Sequence, residues 1–160
     1  MAEKTYRLVK DVIRAARLGS QTWLDLTRAS LELAMANRRL GSRTARELLL
    51  SAREDGQFDA HQALTERQRR LVSRVAFAVP AMGARVVWRS DCFVQALAAQ
   101  RWLRQSQIAS ALTIGVRKEA NGEFAAHAWL KVGDVVVTGG DIAGFQPLVT
   151  PDLDLPPLDG

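Results

Sequence analysis

The sequence is poor in the residues that metal and disulfide chemistry require. Its 160 residues include one cysteine, Cys92, and two histidines, His61 and His127. A single cysteine excludes an internal disulfide. So few nitrogen and sulfur ligands, at no recognisable spacing, argue against a zinc site. Since no glycine-rich phosphate loop is present either, we expect the protein to use neither a metal nor a nucleotide cofactor.

Long apolar runs are also missing. No stretch of about 18 apolar residues occurs, so no membrane-spanning helix is expected. The first ten residues carry mixed charge and lack the apolar centre of a secretory signal. Because a free thiol persists best in a reducing compartment, we predict a cytoplasmic protein.

Positive charge is concentrated in the first half of the chain. The net charge is +5, but residues 1–89 hold 17 Lys and Arg against 9 Asp and Glu, whereas residues 90–160 hold 5 against 8. A basic surface of this kind suits an acidic partner or nucleic acid. Single arginines at helical spacing are ordinary on solvated helices, so we expect no nucleic-acid partner.

Apolar residues up to residue 79 recur at three- and four-residue steps, which predicts helices and no strands. The predicted helices are one through Tyr6 and Ala16, one from Gln21 or Thr22 to Gly41-Ser42, a short one from Ser42 or Thr44 to Leu50, and one from Thr65-Glu66 to Val79. Pro80 is interpreted as the stop of the last helix.

The pattern changes after Pro80. Ser90 is the predicted N-cap of a helix over residues 91–104. Three strands should follow, at Leu112–Val116, at Phe124–Val132 and from Val135, separated by two-residue turns at Asn121-Gly122 and Gly133-Asp134. This order predicts an α+β fold, with a helical region at 1–79, a core at 80–149 and a flexible tail at 150–160.

Cys92 lies near the start of the predicted 91–104 helix. Free backbone N–H groups and the helix dipole at such a position stabilise a thiolate. A lone cysteine is otherwise most often a small core residue. Cys92 is therefore a candidate nucleophile that needs a base.

His127 is the candidate base. In the second predicted strand, His127 and Trp129 point to the same face. A two-residue turn would pair His127 with Val116 and Trp129 with Ile114, on the face shared with Leu112. The Cys92 helix is the adjacent element that could cover this face, which would bring the imidazole to the thiol.

Asp141 is the candidate third residue. A β-bulge at Gly139-Gly140 would move Asp141 opposite His127, where a carboxylate would fix the imidazole tautomer. Asp134, at a hairpin tip, is a weaker alternative. The chain order Cys, His, Asp matches papain-like and transglutaminase-like enzymes.

Several segments between Asp91 and Leu148 resemble one family more specifically. They are Asp91–Leu97, Leu112–Val116, the stretch Phe124–Trp129 that contains Ala-His-Ala-Trp, and Gly140-Asp141. They look like the peptidase domain of lasso-peptide maturation proteases, a transglutaminase-like family. The resemblance implies a catalytic triad of Cys92, His127 and Asp141.

The same resemblance implies a function and partners. Members of that family remove the leader from a ribosomally made lasso precursor, and a separate macrolactam synthetase then closes the ring. Some members carry a leader-recognition module, and others use it as a separate protein. Because residues 1–79 show no strand pattern, this chain resembles the split form. The expected partners are the precursor leader, a separate leader-recognition protein and, as a further candidate, the synthetase.

Two other functions remain open at this stage. A Cys-His-Asp acyl transferase with an amine acceptor would use the same three residues. A non-enzymatic helical adaptor would use the basic first half instead.

Overall fold

The computed structural model describes residues 19–42 and 63–149. Within them, three helices come first: α1 (Ser20–Ser42), α2 (Glu66–Gly83) and α3 (Cys92–Arg104). Four strands follow: β1 (Ala111–Lys118), β2 (Phe124–Val132), β3 (Val135–Thr138) and β4 (Gln146–Val149). Helices followed by an antiparallel sheet confirm the predicted α+β class.

Some predictions fall outside the described residues. They are the helix through Tyr6 and Ala16, the short helix ending at Leu50, and the tail at 150–160. The proposed division of the chain at residues 79 and 80 stays a prediction, and α2 contains residues on both sides of it. Within the part of the chain that the structure describes, no helix is long and apolar enough to cross a membrane.

Helix α2 begins as predicted but ends later. The Thr65 side chain accepts a hydrogen bond from the backbone N–H of Gln68, whose own side chain accepts from the Thr65 N–H, forming a capping box. Pro80 does not stop the helix, which runs on to Gly83. Proline has no N–H to donate to the Ala76 carbonyl, and Ala76 and Pro80 both line a cavity.

Helix α3 begins at Cys92, and its N-cap is Asp91 rather than the predicted Ser90. The Asp91 carboxylate accepts a hydrogen bond from the Val94 N–H at 3.1 Å. This places the cap one residue later, because the aspartate reaches the third N–H of the helix. The nucleophile candidate is thus the first residue of the helix.

The sheet has the strand order β3-β2-β1-β4, with every neighbouring pair antiparallel. The first three strands form the predicted meander. Strand β4 was not predicted; it lies on the outer edge of β1 and contains Pro147, which edge strands accept. The chain therefore crosses from one edge of the sheet to the other between β3 and β4.

The turn between β1 and β2 is one residue longer than predicted. The Gly122 N–H donates to the Glu119 carbonyl at 2.9 Å, the Glu119 N–H donates to the Glu123 carbonyl at 2.8 Å, and Gly122 has a φ of 86°. These bonds define a three-residue loop with glycine in the left-handed position. The predicted two-residue turn at Asn121-Gly122 is wrong.

The longer loop shifts the register by one residue. The structure pairs His127 with Gly115 and Trp129 with Thr113, not with Val116 and Ile114 as predicted. Leu112 pairs with Leu130 instead. The predicted shared face of His127 and Leu112 is therefore wrong, since a one-residue slip moves every side chain to the other face.

The turn between β2 and β3 has the predicted two residues, Gly133-Asp134, but the bulge that follows lies earlier than predicted. Val132 pairs with Val135 across the turn, and the register then shifts between Leu130 and Lys131, so that Leu130 pairs with Thr138. The extra residue is Val137, not one of the glycines at 139 and 140, and β3 ends at Thr138.

One hydrophobic core joins the helices to the face of the sheet that carries Leu112 and Leu130. Its fully buried large residues include Leu33 of α1, Val75 and Val79 of α2, and Val94, Trp102 and Leu103 of α3. The helical layer thus covers the sheet face opposite to that of His127.

Two buried carboxylates tie α1 to the other helices. Asp25 accepts two hydrogen bonds from the Arg74 guanidinium of α2, and these bonds raise the pKa of Arg74. Glu32 pairs with Arg101 of α3 at 2.5 Å. Since a buried carboxylate is costly without a partner, these pairs fix how α1 packs on α2 and α3.

Candidate active site

Cys92 is a partly buried free thiol at the N-terminus of α3. Asp91 caps the third N–H of the helix, and its other carboxylate oxygen pairs with Arg89 at 2.5 Å. Among the described residues, the backbone N–H groups of Cys92 and Phe93 have no hydrogen-bond partner. They are the first two free donors of the helix, and the helix dipole adds to their positive potential.

The His127 imidazole is held by a backbone carbonyl. Its Nε2 lies 2.7 Å from the carbonyl oxygen of Gly139. A carbonyl oxygen only accepts, so Nε2 carries the proton, and the lone pair of the neutral ring is at Nδ1. The last residue pair between β2 and β3 is Leu130 with Thr138, and His127 lies three residues before Leu130 on β2. Because β3 does not pair with β2 at His127, the backbone of residues 139–140 can lie beside the imidazole.

Two aromatic side chains lie near the imidazole, and an arginine packs on one of them. The Phe145 ring lies 5.0 Å from the His127 ring, centroid to centroid, and Trp129 lies 6.3 Å from both. The Arg117 guanidinium lies 4.4 Å from the centre of the Phe145 ring. The segment after β3 is thereby packed over His127.

Cys92 and His127 line the same cavity, of about 410 Å³. The other lining residues come from α2, α3, β3 and the two glycines that follow β3: Ala76, Pro80, Gln95, Val136, Val137, Thr138, Gly139 and Gly140. No hydrogen bond joins the thiol to the imidazole in the described structure. Hydrogen bonds between a nucleophile and its base commonly form only when substrate binds. The structure thus places a thiol and a potential base at one concave surface.

Asp141 does not share that surface. It is exposed, and its carboxylate accepts a hydrogen bond from the Ala143 N–H at 2.9 Å. The residue follows Gly140 directly, so it belongs to the loop that presents the Gly139 carbonyl to His127. Asp134, the weaker alternative, is exposed in the β2–β3 turn. The catalytic roles of Cys92, His127 and Asp141 stay predictions at this point.

Three site features were not found from the sequence. Gln95 and Thr138 both line the cavity, and within the described ranges the Thr138 hydroxyl is buried without a hydrogen-bond partner. The acceptor for His127 is a backbone oxygen, which no residue type encodes. The only sequence signal for this backbone acceptor was the Gly139-Gly140 pair, because glycine favours unusual backbone conformations. In the structure the two residues have positive φ angles, of 106° and 61°.

Trp129 leaves no space for a side chain at position 139. A Cβ atom built on Gly139 would overlap the Cβ of Trp129 and lie 3.0 Å from its Cα. At the far end of the same residue, a Cβ on Gly115 would lie 2.7 Å from Cη2 of the indole. Trp129 is therefore packed against two glycines, and the contact with Gly139 places the Gly139 carbonyl next to His127.

The fold and this site define a class: a thiol on the first turn of a helix that lines one cavity with a histidine on an antiparallel strand. The family model described as transglutaminase-like superfamily matches residues 24–150 of the chain. The protein therefore belongs to the transglutaminase-like superfamily, which includes cysteine proteases and acyl transferases. Comparisons with curated proteins and with solved structures give no significant match.

Substituting Gly139 should separate its role from that of its neighbour. Gly139→Ala must relieve both a positive φ and an overlap with Trp129, whereas Gly140→Ala meets no atom within 4 Å. A non-glycine residue at positive φ costs about 1–3 kcal/mol. We expect Gly140→Ala to lose roughly that much and Gly139→Ala clearly more, measured by denaturant unfolding. Equal losses would contradict the packing argument.

Proposed function

We propose that the protein is a cysteine peptidase that removes the leader from a lasso-type precursor peptide. The observation that carries the proposal is the shared cavity of Cys92 and His127 in a transglutaminase-like domain. The resemblance of the Asp91–Leu97 and Phe124–Trp129 segments to lasso-peptide maturation proteases supports the substrate class.

The proposed acylation step begins with proton transfer from the Cys92 thiol to Nδ1 of His127. The thiolate forms a bond to the scissile carbonyl carbon, and the carbonyl π electrons move to the oxygen. The tetrahedral intermediate then collapses, the C–N bond breaks, and the imidazolium gives its proton to the leaving amine. The product is a thioester on Cys92 and a free amine.

Hydrolysis of the thioester regenerates the thiol. His127 takes a proton from water as the water oxygen attacks the thioester carbonyl, and the C–S bond then breaks. The Nε2–H bond to Gly139 persists through both steps because the carbonyl accepts from neutral and protonated imidazole alike. The oxygen of Gly139 thus stabilises the charged ring that each step forms.

Asp141 has a positioning role in this proposal. Its bond to the Ala143 N–H closes the turn that follows Gly140. By fixing that turn, the carboxylate holds the segment whose Gly139 carbonyl orients His127. In the proposed Cys-His-Asp set, Asp141 therefore acts on His127 indirectly, by holding the backbone that contains the Gly139 carbonyl.

A separate leader-recognition protein is the proposed partner. Before Cys92, the described residues form helices and no strand, and the exposed residues of α2 include Arg67, Arg69 and Arg70. Arg69 and Arg70 both pair with Glu66. A basic helical surface attracts an acidic leader or an acidic partner protein. The macrolactam synthetase is a further candidate for contact with the same surface.

Substitution of Cys92 tests the chemistry directly. Losing the nucleophile of a triad costs about 10⁶ in turnover in a serine protease. Cys92→Ala should therefore keep its thermal unfolding midpoint and cleave no lasso-type precursor in a mass-spectrometric time course. His127→Ala should keep the thiol but react more slowly with iodoacetamide at neutral pH.

The result that would reject the mechanism is cleavage by Cys92→Ala within about tenfold of the wild-type rate. A wild-type protein that transfers its acyl group to an added amine in preference to water would instead assign it to the acyl transferases of the superfamily.

A series at Asp141 tests whether its charge or its hydrogen bond matters. Asparagine keeps the Oδ1 acceptor for the Ala143 N–H, and alanine removes it. We expect Asp141→Asn to retain most activity and Asp141→Ala to lose about tenfold, the equivalent of one hydrogen bond of about 1.4 kcal/mol. The control, Asp134→Ala, should be near neutral. If asparagine is as harmful as alanine, the carboxylate acts by its charge instead.

The proposed partner should raise the cleavage rate. Holding the precursor through a second protein makes docking nearly intramolecular, and gains of about 10²–10⁴ are typical. Added salt should reduce the gain, because charges are screened beyond about 10 Å at 0.1 M. The measurement is precursor cleavage with and without a leader-binding protein, at low and high salt. Equal rates with and without it would remove the partner from the proposal, and salt-independent stimulation would indicate an apolar docking surface.

A further inference from the structure

The Gln95 side chain reaches back to the start of the helix that carries Cys92. Its carboxamide nitrogen, Nε2, donates to the Ser90 carbonyl at 2.9 Å. Ser90 and Cys92 are separated by one residue, and consecutive Cα atoms lie about 3.8 Å apart. The carboxamide is therefore bonded to the chain two residues before Cys92, and Gln95 lines the same cavity as Cys92 and His127.

The carboxamide is held between two helices. A Cβ atom built on Gly83, the last residue of α2, would lie 2.7 Å from Nε2 and 2.8 Å from Cδ of Gln95. A side chain at position 83 would thus compete for the space that the carboxamide occupies. Together with the bond to Ser90, this packing limits the rotamers available to Gln95.

At the cavity, some polar groups have no partner in the part of the chain that the structure describes. The carboxamide of Gln95 has a second N–H, because its bond to Ser90 uses only one of two. The backbone N–H of Cys92 is unpaired within the described residues. Independently, Thr138 lines the cavity and is 1% exposed, and its hydroxyl has no hydrogen-bond partner among the described residues. An unpaired buried hydroxyl is costly, so a ligand that hydrogen-bonds to it would be favoured.

We infer that Gln95 is a catalytic residue that supplies the second hydrogen-bond donor of an oxyanion hole, next to the backbone N–H of Cys92. The inference rests on the proposed acyl-transfer chemistry of Cys92. When the Cys92 sulfur bonds to the carbonyl carbon, the carbonyl π electrons move to oxygen, and both N–H groups donate to that oxyanion. The electrons return to the carbonyl as the leaving group departs, so the donors bind most strongly in the transition state.

Other donors near Cys92 fit less well. The Arg89 guanidinium is engaged by the Asp91 carboxylate, and the Trp88 side chain is 37% exposed. Neither residue lines the cavity. Thr138 does line it, but on β3, whereas Gln95 lies on the helix of the thiol itself. Thr138 is therefore suited to another atom of the substrate.

Two reactions of the same sulfur distinguish an oxyanion donor from a structural residue. Acylation by p-nitrophenyl acetate forms an oxyanion before p-nitrophenolate leaves, whereas alkylation by iodoacetamide displaces iodide and forms none. Gln95→Ala and Gln95→Glu both remove the N–H donors. The control is Gln105→Ala at the other end of α3, where the Gln105 side chain accepts from Arg28. The rates to compare are the p-nitrophenolate burst and the alkylation of the full-length protein.

Removal of one oxyanion donor costs on the order of 10². We expect both Gln95 variants to lose about that factor in acylation while alkylation stays within about threefold of wild type, and Gln105→Ala to change neither. Equal slowing of both reactions would show a structural role and overturn the inference. Unchanged acylation in Gln95→Ala would also overturn it, and a loss confined to Thr138→Val would move the donor to Thr138.

The outcome for Gln95 is separable from that of the proposed function. If Cys92→Ala still cleaves precursor, the peptidase proposal fails whatever Gln95 does. If Cys92→Ala is inactive and Gln95→Ala acylates at the wild-type rate, only the assignment of Gln95 fails.

Discussion

The contact of Trp129 with two glycines is the constraint on which the site depends. Gly115 lies against the far end of the indole and Gly139 against the Cα and Cβ atoms of Trp129, and neither position has room for a Cβ atom. The missing Cβ at Gly115 also allows β4 to approach β1, since the Gln146 carbonyl would lie 2.6 Å from such an atom. The contact with Gly139 brings the chain after β3 against β2 and so puts a carbonyl beside His127.

The helical layer provides the other half of the site. Helix α3 is held in place by its buried residues in the core and by the ion pair between Arg101 of α3 and Glu32 of α1. Its N-terminus is free to face the cavity because Asp91 caps only the Val94 N–H. A rigid helix thus presents the Cys92 thiol and its backbone N–H together, which is the requirement for preorganised acyl-transfer chemistry.

The helices and strands of the core were predicted from the sequence more accurately than the register in which the strands pair. Alternating residues located β1 to β3, and helical spacing located α2 and α3 to within a few residues. The register of β1 and β2 was wrong by one, because Asn121-Gly122 suits both a two-residue turn and the three-residue loop that forms. Strand β4 was missed, since four residues that include Pro147 carry no alternation signal.

The candidate site was predicted in part. Helix position and strand pattern indicated Cys92 and His127, and the structure places both at one cavity. The prediction brought His127 to the thiol on a sheet face shared with Leu112, and the observed register excludes that shared face. Gln95 and the Gly139 carbonyl carry no local sequence signal, because their relation to the thiol and the imidazole depends on tertiary contacts.

The acceptor for His127 has a consequence for how the site tolerates mutation. A main-chain oxygen is present whatever residue occupies position 139, so no substitution deletes the acceptor itself. The acceptor can be lost only by a change in backbone path. Side-chain scanning would therefore find no single residue for this function, and sensitivity would be spread over the residues that shape the path, among them Trp129, Phe145 and Asp141. Mutations that disturb the orientation of His127 would therefore be found at several neighbouring positions and not at one residue.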